Sequence, residues 1–142
     1  MTHIHFYHGA ADKMQSACRL IGELCAEGRK VLVYAPEENL AVQIDRLLWM
    51  QPATGFVPHC RSDGALAAET PILIGASLDT AAHHDVLVNL DGELPPAFSR
   101  FEQLVEIVGD AEADRQPARA RFKFYRDRGY AITAHDLSKE GP

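Results

Sequence analysis

Apolar positions along this chain fall into two alternating rhythms. Short runs, His3–Tyr7 (HIHFY), Val31–Tyr34 (VLVY), Ile72–Ile74, Val86–Leu90 (VLVNL), Leu104–Val108 (LVEIV) and Tyr130–His135 (YAITAH), have strand length. Continuous apolar runs such as VLVY predict strands buried on both faces. Between them lie stretches with helical spacing. Ala11–Glu27 places Met14, Ala17, Cys18, Leu20, Ile21, Leu24 and Cys25 on one side, and Gly28 follows as a stop. Pro36 is expected near the first helical position of a second helix carrying Leu40, Ile44, Leu47 and Leu48, which ends near Met50. Phe98–Phe101 reads as a short helix and Glu112–Arg128 as the last one, stopped by Gly129. Residues Gln51–Asp63 read as a loop punctuated by Pro and Gly. Strands alternating with helices predict an α/β fold with a mostly parallel central sheet flanked by helices.

The length of 142 residues fits a single domain spanning residues 1–142. No apolar run approaches a membrane span, and the MTHIHFYHG start lacks the cationic and apolar regions of a secretory signal. Three cysteines at no zinc spacing fit free thiols, so a cytoplasmic location is expected. Cys18 and Cys25 are expected to share a buried helix face.

Charge changes the picture most. The chain carries a formal net charge of −6, yet Arg115–Tyr130 holds Arg115, Arg119, Arg121, Lys123, Arg126 and Arg128 against the single acid Asp127. This local +5 is interleaved with Phe122, Phe124, Tyr125 and Tyr130. At helical spacing Arg119, Phe122, Lys123 and Arg126 share a sector of about 100°, with Phe122 at its edge beside Ala118 and Tyr125, which are expected to face the core. An apolar spot rimmed by cations suits a peptide with an aromatic end, a terminal carboxylate and nearby acids. It also suits a phosphate backbone with stacked bases.

Recognised chemical motifs are missing. Neither G-x-G-x-x-G nor G-x-x-x-x-G-K-[ST] occurs, so no phosphate cradle is assigned. No G-x-S-x-G elbow is present. His3, His5, His8, His83, His84 and Asp85 could in principle donate to a metal. The alternative is that they are strand-end histidines bonded to backbone or water, and no metal or other cofactor is expected. The only tryptophan, Trp49, and nearby Phe56 sit in Leu48-Trp49-Met50-Gln51-Pro52-Ala53-Thr54-Gly55-Phe56-Val57-Pro58-His59. Aromatics held among prolines either form a docking surface or plug the core.

The spacing L-W-x2-P-x3-F-V-P-H, followed by R-x-R-[FY]-K-x-Y-R-x2-G-[FY], resembles the chi subunit family of bacterial DNA polymerase III. The residues that carry this resemblance are Leu48, Trp49, Pro52, Phe56, Val57, Pro58 and His59, then Arg119, Arg121, Phe122, Lys123, Tyr125, Arg126, Gly129 and Tyr130. The resemblance implies a Rossmann-like fold and a non-catalytic clamp-loader accessory subunit active in DNA replication. It implies that Arg119, Phe122, Lys123 and Arg126 bind the acidic C-terminal tail of single-stranded-DNA-binding protein. It also implies that Trp49, Pro52, Phe56, Val57, Pro58 and His59 face the psi subunit or a helicase. Two other functions fit the residues less well. A direct nucleic-acid-binding module is opposed by the acidic remainder of the chain. A small α/β enzyme is opposed by the missing phosphate loop and nucleophile.

Overall fold

Parallel strands buried on both faces need a helical layer on each side, and the chain supplies both. The computed structural model describes residues 2–50, 59–61, 70–75 and 84–139. In chain order the elements are β1 (His3–Ala10), α1 (Lys13–Ala26), β2 (Val31–Tyr34), α2 (Glu38–Trp49), β3 (His59–Arg61), β4 (Ile72–Gly75), β5 (Val86–Asn89), β6 (Gln103–Gly109), α3 (Glu112–Asp127) and β7 (Ile132–Asp136). Short 3₁₀ turns occupy Phe98–Arg100 and Leu137–Lys139. The strands form one sheet in the order β3-β4-β2-β5-β6-β1-β7. Every adjacent pair is parallel. This is the expected α/β, Rossmann-like architecture.

Strand alternation divides the core into two layers. Val31, Val33, Ile72, Ile74, Val86, Val88, Val105 and Ile107 pack with Ala17, Cys18, Leu20 and Ile21 of α1 and Ala41, Ile44 and Leu48 of α2. Leu32, Tyr34, Leu73, Leu87, Leu104 and Val108 face the other way and pack with Ile4, Phe6, Phe98, Phe101, Ala118 and Tyr125. Thus α3 covers the second face largely alone among the described helices. Cys18 and Cys25 do share the first layer, and burial pushes the Cys18 thiol up to about 11.

Helix boundaries follow local chemistry. The side chain of Asp12 accepts a hydrogen bond from the Gln15 N–H at 3.2 Å, so α1 starts after Asp12 rather than at Ala11. Gly28 and Gly129 both have positive φ, 79° and 84°, and end α1 and α3 as expected. Pro36 is not at the first helical position. Ala35 N–H still bonds the Gly75 carbonyl at 2.9 Å, which keeps the chain in the sheet until just before the proline. Glu37 therefore becomes the cap and α2 starts at Glu38. β3 falls inside the segment read as loop. Its three residues are too few and too polar to produce an alternating signal, and it forms one edge of the sheet.

The turn after α1 is tied to the start of β5. Arg29 Nε donates to Asp85 Oδ2 at 2.8 Å, and Arg29 Nη2 makes a second bond to the other carboxylate oxygen. Lys30 N–H adds a third at 3.3 Å. Asp85 is thus engaged in an ion pair. The Arg29 guanidinium holds its carboxyl down to about 2. A depressed carboxyl contributes stability that is present above the unfolded value and disappears as pH falls through about 2. After allowance for solvent screening the contribution is about 1 kcal/mol. Replacing Asp85 with Asn should lower stability by about that amount at pH 7 and by progressively less below pH 4. Urea unfolding at stepped pH measures this, and an equal deficit at pH 7 and pH 2 would contradict it.

Candidate functional site

The middle of β6 carries an acid where the strand pattern calls for a hydrophobe. Glu106 has 0% exposure. Its carboxylate accepts from Arg121 Nε at 3.0 Å and Tyr125 Oη at 2.7 Å. Asn89 Nδ2 reaches both carboxylate oxygens, at 3.0 and 3.2 Å. Arg121 Nη1 continues to the Gly92 carbonyl at 2.7 Å, and Asn89 Nδ2 also reaches the Glu93 carbonyl at 3.1 Å. Burial pushes the Glu106 carboxyl up, and the Arg121 charge with the three donating side chains pushes back. The Tyr125 hydroxyl is raised by burial and by the adjacent carboxylate. Arg121 is only 5% exposed. Although it belongs to the basic segment in sequence, it is withdrawn from the surface to neutralise Glu106.

This network fixes the rotation of α3. With Ala118, Arg121 and Tyr125 buried, the opposite side of the helix is turned outward. Arg119, Phe122, Lys123 and Arg126 line one pocket of about 510 Å³, as their helical spacing predicts. Arg115 lines it too. Its position four residues before Arg119 was the overlooked signal, since i and i+4 share a helix face. The sheet supplies Phe6 and His8 from β1, Val108 from β6 and Ala134 from β7. These contributors are separated by long stretches of sequence, so no local motif could reveal them. Phe6 meets Phe122 edge-on with ring centroids 5.3 Å apart. Ala118 and Tyr125 face the core as expected, and Phe122 is half-buried between core and pocket.

The pocket is an apolar floor beneath four exposed cations. Glu112, one helical turn or two away, reaches two of them. Its Oε1 lies 3.0 Å from Arg119 Nη1 and its Oε2 lies 3.9 Å from Arg115 Nη1. Hydrogen bonding to Arg119 lowers the Glu112 carboxyl. Arg126 Nε lies 3.5 Å from Asp127. Exposed pairs of this kind are weak, so a ligand carboxylate can compete with them.

The second candidate region is less fully described. Trp49 ends α2 with 61% exposure, next to Met50 at 64%. Trp49 therefore does not plug the core. Its ring lies 4.8 Å from that of His59 on β3. His59 is buried with Nε2 3.2 Å from Asp45 Oδ1. Pro52, Phe56, Val57 and Pro58 lie outside the described residues.

The β1 histidines divide between the two faces of the sheet. His3 and His5 stack at 4.5 Å. His3 Nε2 meets Thr133 Oγ1 at 2.8 Å, and His5 Nδ1 meets His135 Nε2 at 3.1 Å. Their partners are side chains of β7, not the backbone or water that the sequence suggested. Burial, then the neighbouring His3 and His135, lowers His5 to about 4, so it is neutral at pH 7. Among the described residues no three His, Cys, Asp or Glu side chains converge as a metal would require. His83 lies outside the described residues, and His84 packs against Phe101 at 5.7 Å.

The family model of the DNA polymerase III chi subunit matches residues 1–133. The chain belongs to that family. It is 33% identical to the DNA polymerase III subunit chi of Pseudomonas aeruginosa over 98% of this chain and 99% of that protein. The chi subunit of Haemophilus influenzae is 32% identical, with 85% of each chain covered. The chi subunit of Escherichia coli is 28% identical over 87% of this chain and 85% of its own length. Family membership assigns the chain to DNA replication as an accessory subunit, not the catalytic one, within the replication complex. Among the described residues no helix is long and apolar enough to cross a membrane.

The buried pair behind the pocket has a measurable consequence. Removing one partner leaves the other charge buried and uncompensated. Arg121→Met should cost about 3–5 kcal/mol in urea unfolding. Combining it with Glu106→Leu should recover part of that loss, because neither charge then remains. A single substitution with no effect on the unfolding midpoint would refute this account of α3.

Proposed function

We propose that this chi family member links the clamp loader to single-stranded-DNA-binding protein, as a non-catalytic, cytoplasmic, single-domain adaptor that needs no cofactor. The observation that carries this reading is the pocket along α3. An aromatic floor of Phe6 and Phe122 lies beneath Arg115, Arg119, Lys123 and Arg126 on a protein of net charge −6. An acidic peptide ending in phenylalanine matches that arrangement. Its ring occupies the apolar floor and its carboxylates meet the cations. The C-terminal tail of single-stranded-DNA-binding protein is the ligand of this chemistry that the family resemblance implies.

Charge distribution favours a short peptide over naked nucleic acid. Arg115–Tyr130 carries +5, which leaves −11 for the rest of the chain. A long polyanion meets that acidic body, whereas a short peptide stays within about one Debye length of the patch. Contact with single-stranded DNA is therefore indirect in this proposal. The exposed Trp49 end of α2 is assigned in this proposal to a separate docking surface for the psi subunit or a helicase. Pro52, Phe56, Val57 and Pro58 are assigned to it by the family resemblance alone, and His59, being buried, contributes as the ring against which Trp49 packs rather than as a contact.

Calorimetry with a tail peptide and the full chain tests the first interface. Lys123→Glu turns an attraction into a repulsion and should weaken binding about tenfold. Omitting the peptide's terminal phenylalanine should weaken it further, and binding should fall as salt rises. Equal affinity for the truncated peptide, or tight binding of naked DNA that Lys123→Glu abolishes, would reject this reading. The second interface predicts that Phe56→Ala impairs capture of psi or helicase without lowering the unfolding midpoint. A loss of several kcal/mol in stability would instead make Phe56 a core residue.

A further inference from the structure

His8 is a pocket residue that neither the basic helix nor the tail-binding motif includes. It lies two residues beyond Phe6 on β1, so strand alternation places both on the same sheet face. The two are about 7 Å apart along the strand. Both line the pocket, together with Ala134, which is the register partner of Phe6 on β7. His8 is exposed and stands at the C-terminal end of its strand, the end at which ligands of open parallel sheets bind. α3 leaves the same end of β6 and runs back along the sheet. Its N-terminal half, with Arg115 and Arg119, therefore stands beside His8, while Phe122 stands beside Phe6.

This ordering gives the pocket a direction. The aromatic pair marks its middle, and an imidazole facing two guanidinium groups marks one end. We propose that His8 closes that end and, together with Arg115 and Arg119, grips a carboxylate of the acidic peptide. This inference rests on the peptide-binding reading given above and deepens it by adding a contact that can be switched. Arginine and lysine keep their charge throughout the physiological range, and peptide carboxylates stay ionised there. Imidazole is the ordinary side chain that changes charge between pH 5 and 8. A bound carboxylate favours the protonated ring, so affinity should increase as pH falls.

The surroundings of His8 contain charges of both signs. On α3 the same pocket is lined by Arg115 and Arg119, with Glu112 lying against both, and further along the helix by Lys123 and Arg126. From β7 comes Asp136, the His8 register partner, whose Oδ1 also accepts from Ser138 N–H at 3.0 Å. Asp110 follows β6 at the same end of the sheet. His3, His5 and His135 bond among themselves and to Thr133 on the other face of the sheet, away from the pocket. They provide an internal control.

The test is calorimetry with the full chain and an acidic peptide ending in phenylalanine, at pH 6, 7 and 8 and fixed ionic strength. The wild-type protein should bind about two- to fivefold more tightly at pH 6 than at pH 8, the range of one exposed ion pair. His8→Asn keeps a polar side chain but not the charge. It should bind with the same affinity at pH 6 and pH 8, having lost the gain, whereas His135→Asn should keep the gain. In an NMR titration the His8 ring should hold its proton to higher pH when the peptide is bound. A flat wild-type profile with binding still sensitive to Lys123→Glu would overturn the role of His8 and leave the peptide site standing. Retention of the pH dependence in His8→Asn would do the same. Absence of peptide binding at every pH would overturn both.

Discussion

A single buried carboxylate governs how this molecule presents its surface. Glu106 sits with its register partner Asn89 among the apolar side chains of one sheet face, and an ionised group there is tolerable only when it is surrounded by donors. Two of the donors, Arg121 and Tyr125, are four residues apart on α3. Satisfying both settles the phase of the helix about its axis. Once that phase is set, Arg115, Arg119, Lys123 and Arg126 have no freedom to turn inward. The same network reaches Asn89 and the backbone of Gly92 and Glu93, so the segment after β5 is held to the same anchor. A polar core thus specifies an orientation that apolar packing alone would fix only loosely.

Much of the fold was legible because its strands are short and doubly buried. Runs such as VLVY have no polar side to present, and a parallel sheet with helices on both faces is the arrangement that uses them. The outward sector of α3 was legible for a related reason, since helical spacing alone gathers Arg119, Phe122, Lys123 and Arg126. What stayed hidden depended on distant partners. Arg121 is indistinguishable in sequence from its neighbours, and only Glu106, fifteen residues earlier, explains its burial. The acid inside LVEIV was the available clue. β3 has three residues and borrows its pairing from β4. Phe6, His8, Val108 and Ala134 reach the pocket only because β1 is inserted between β6 and β7.

The two surfaces assigned to partners belong to different layers of the fold. The α3 pocket lies on one face of the sheet, and the Trp49 end of α2 belongs to the layer on the other. Between the two layers lies the sheet itself, in which β1 pairs with β6 from His3 to Tyr7 and again at Ala10. An arrangement of this kind would let two partners dock without competing for the same side chains, as the adaptor role proposed above requires.

The uneven placement of charge has a kinetic side. A cluster of exposed cations on an otherwise acidic protein gives the molecule an electrical polarity, and that polarity orients an approaching anionic segment before any contact is made. Guidance of this type speeds encounter, while residence is governed by short-range contacts such as those of Phe6 and Phe122. Capture and release are thus assigned to separate groups of atoms. Under the function proposed above, one rate can be altered through surface charge and the other through the aromatic floor.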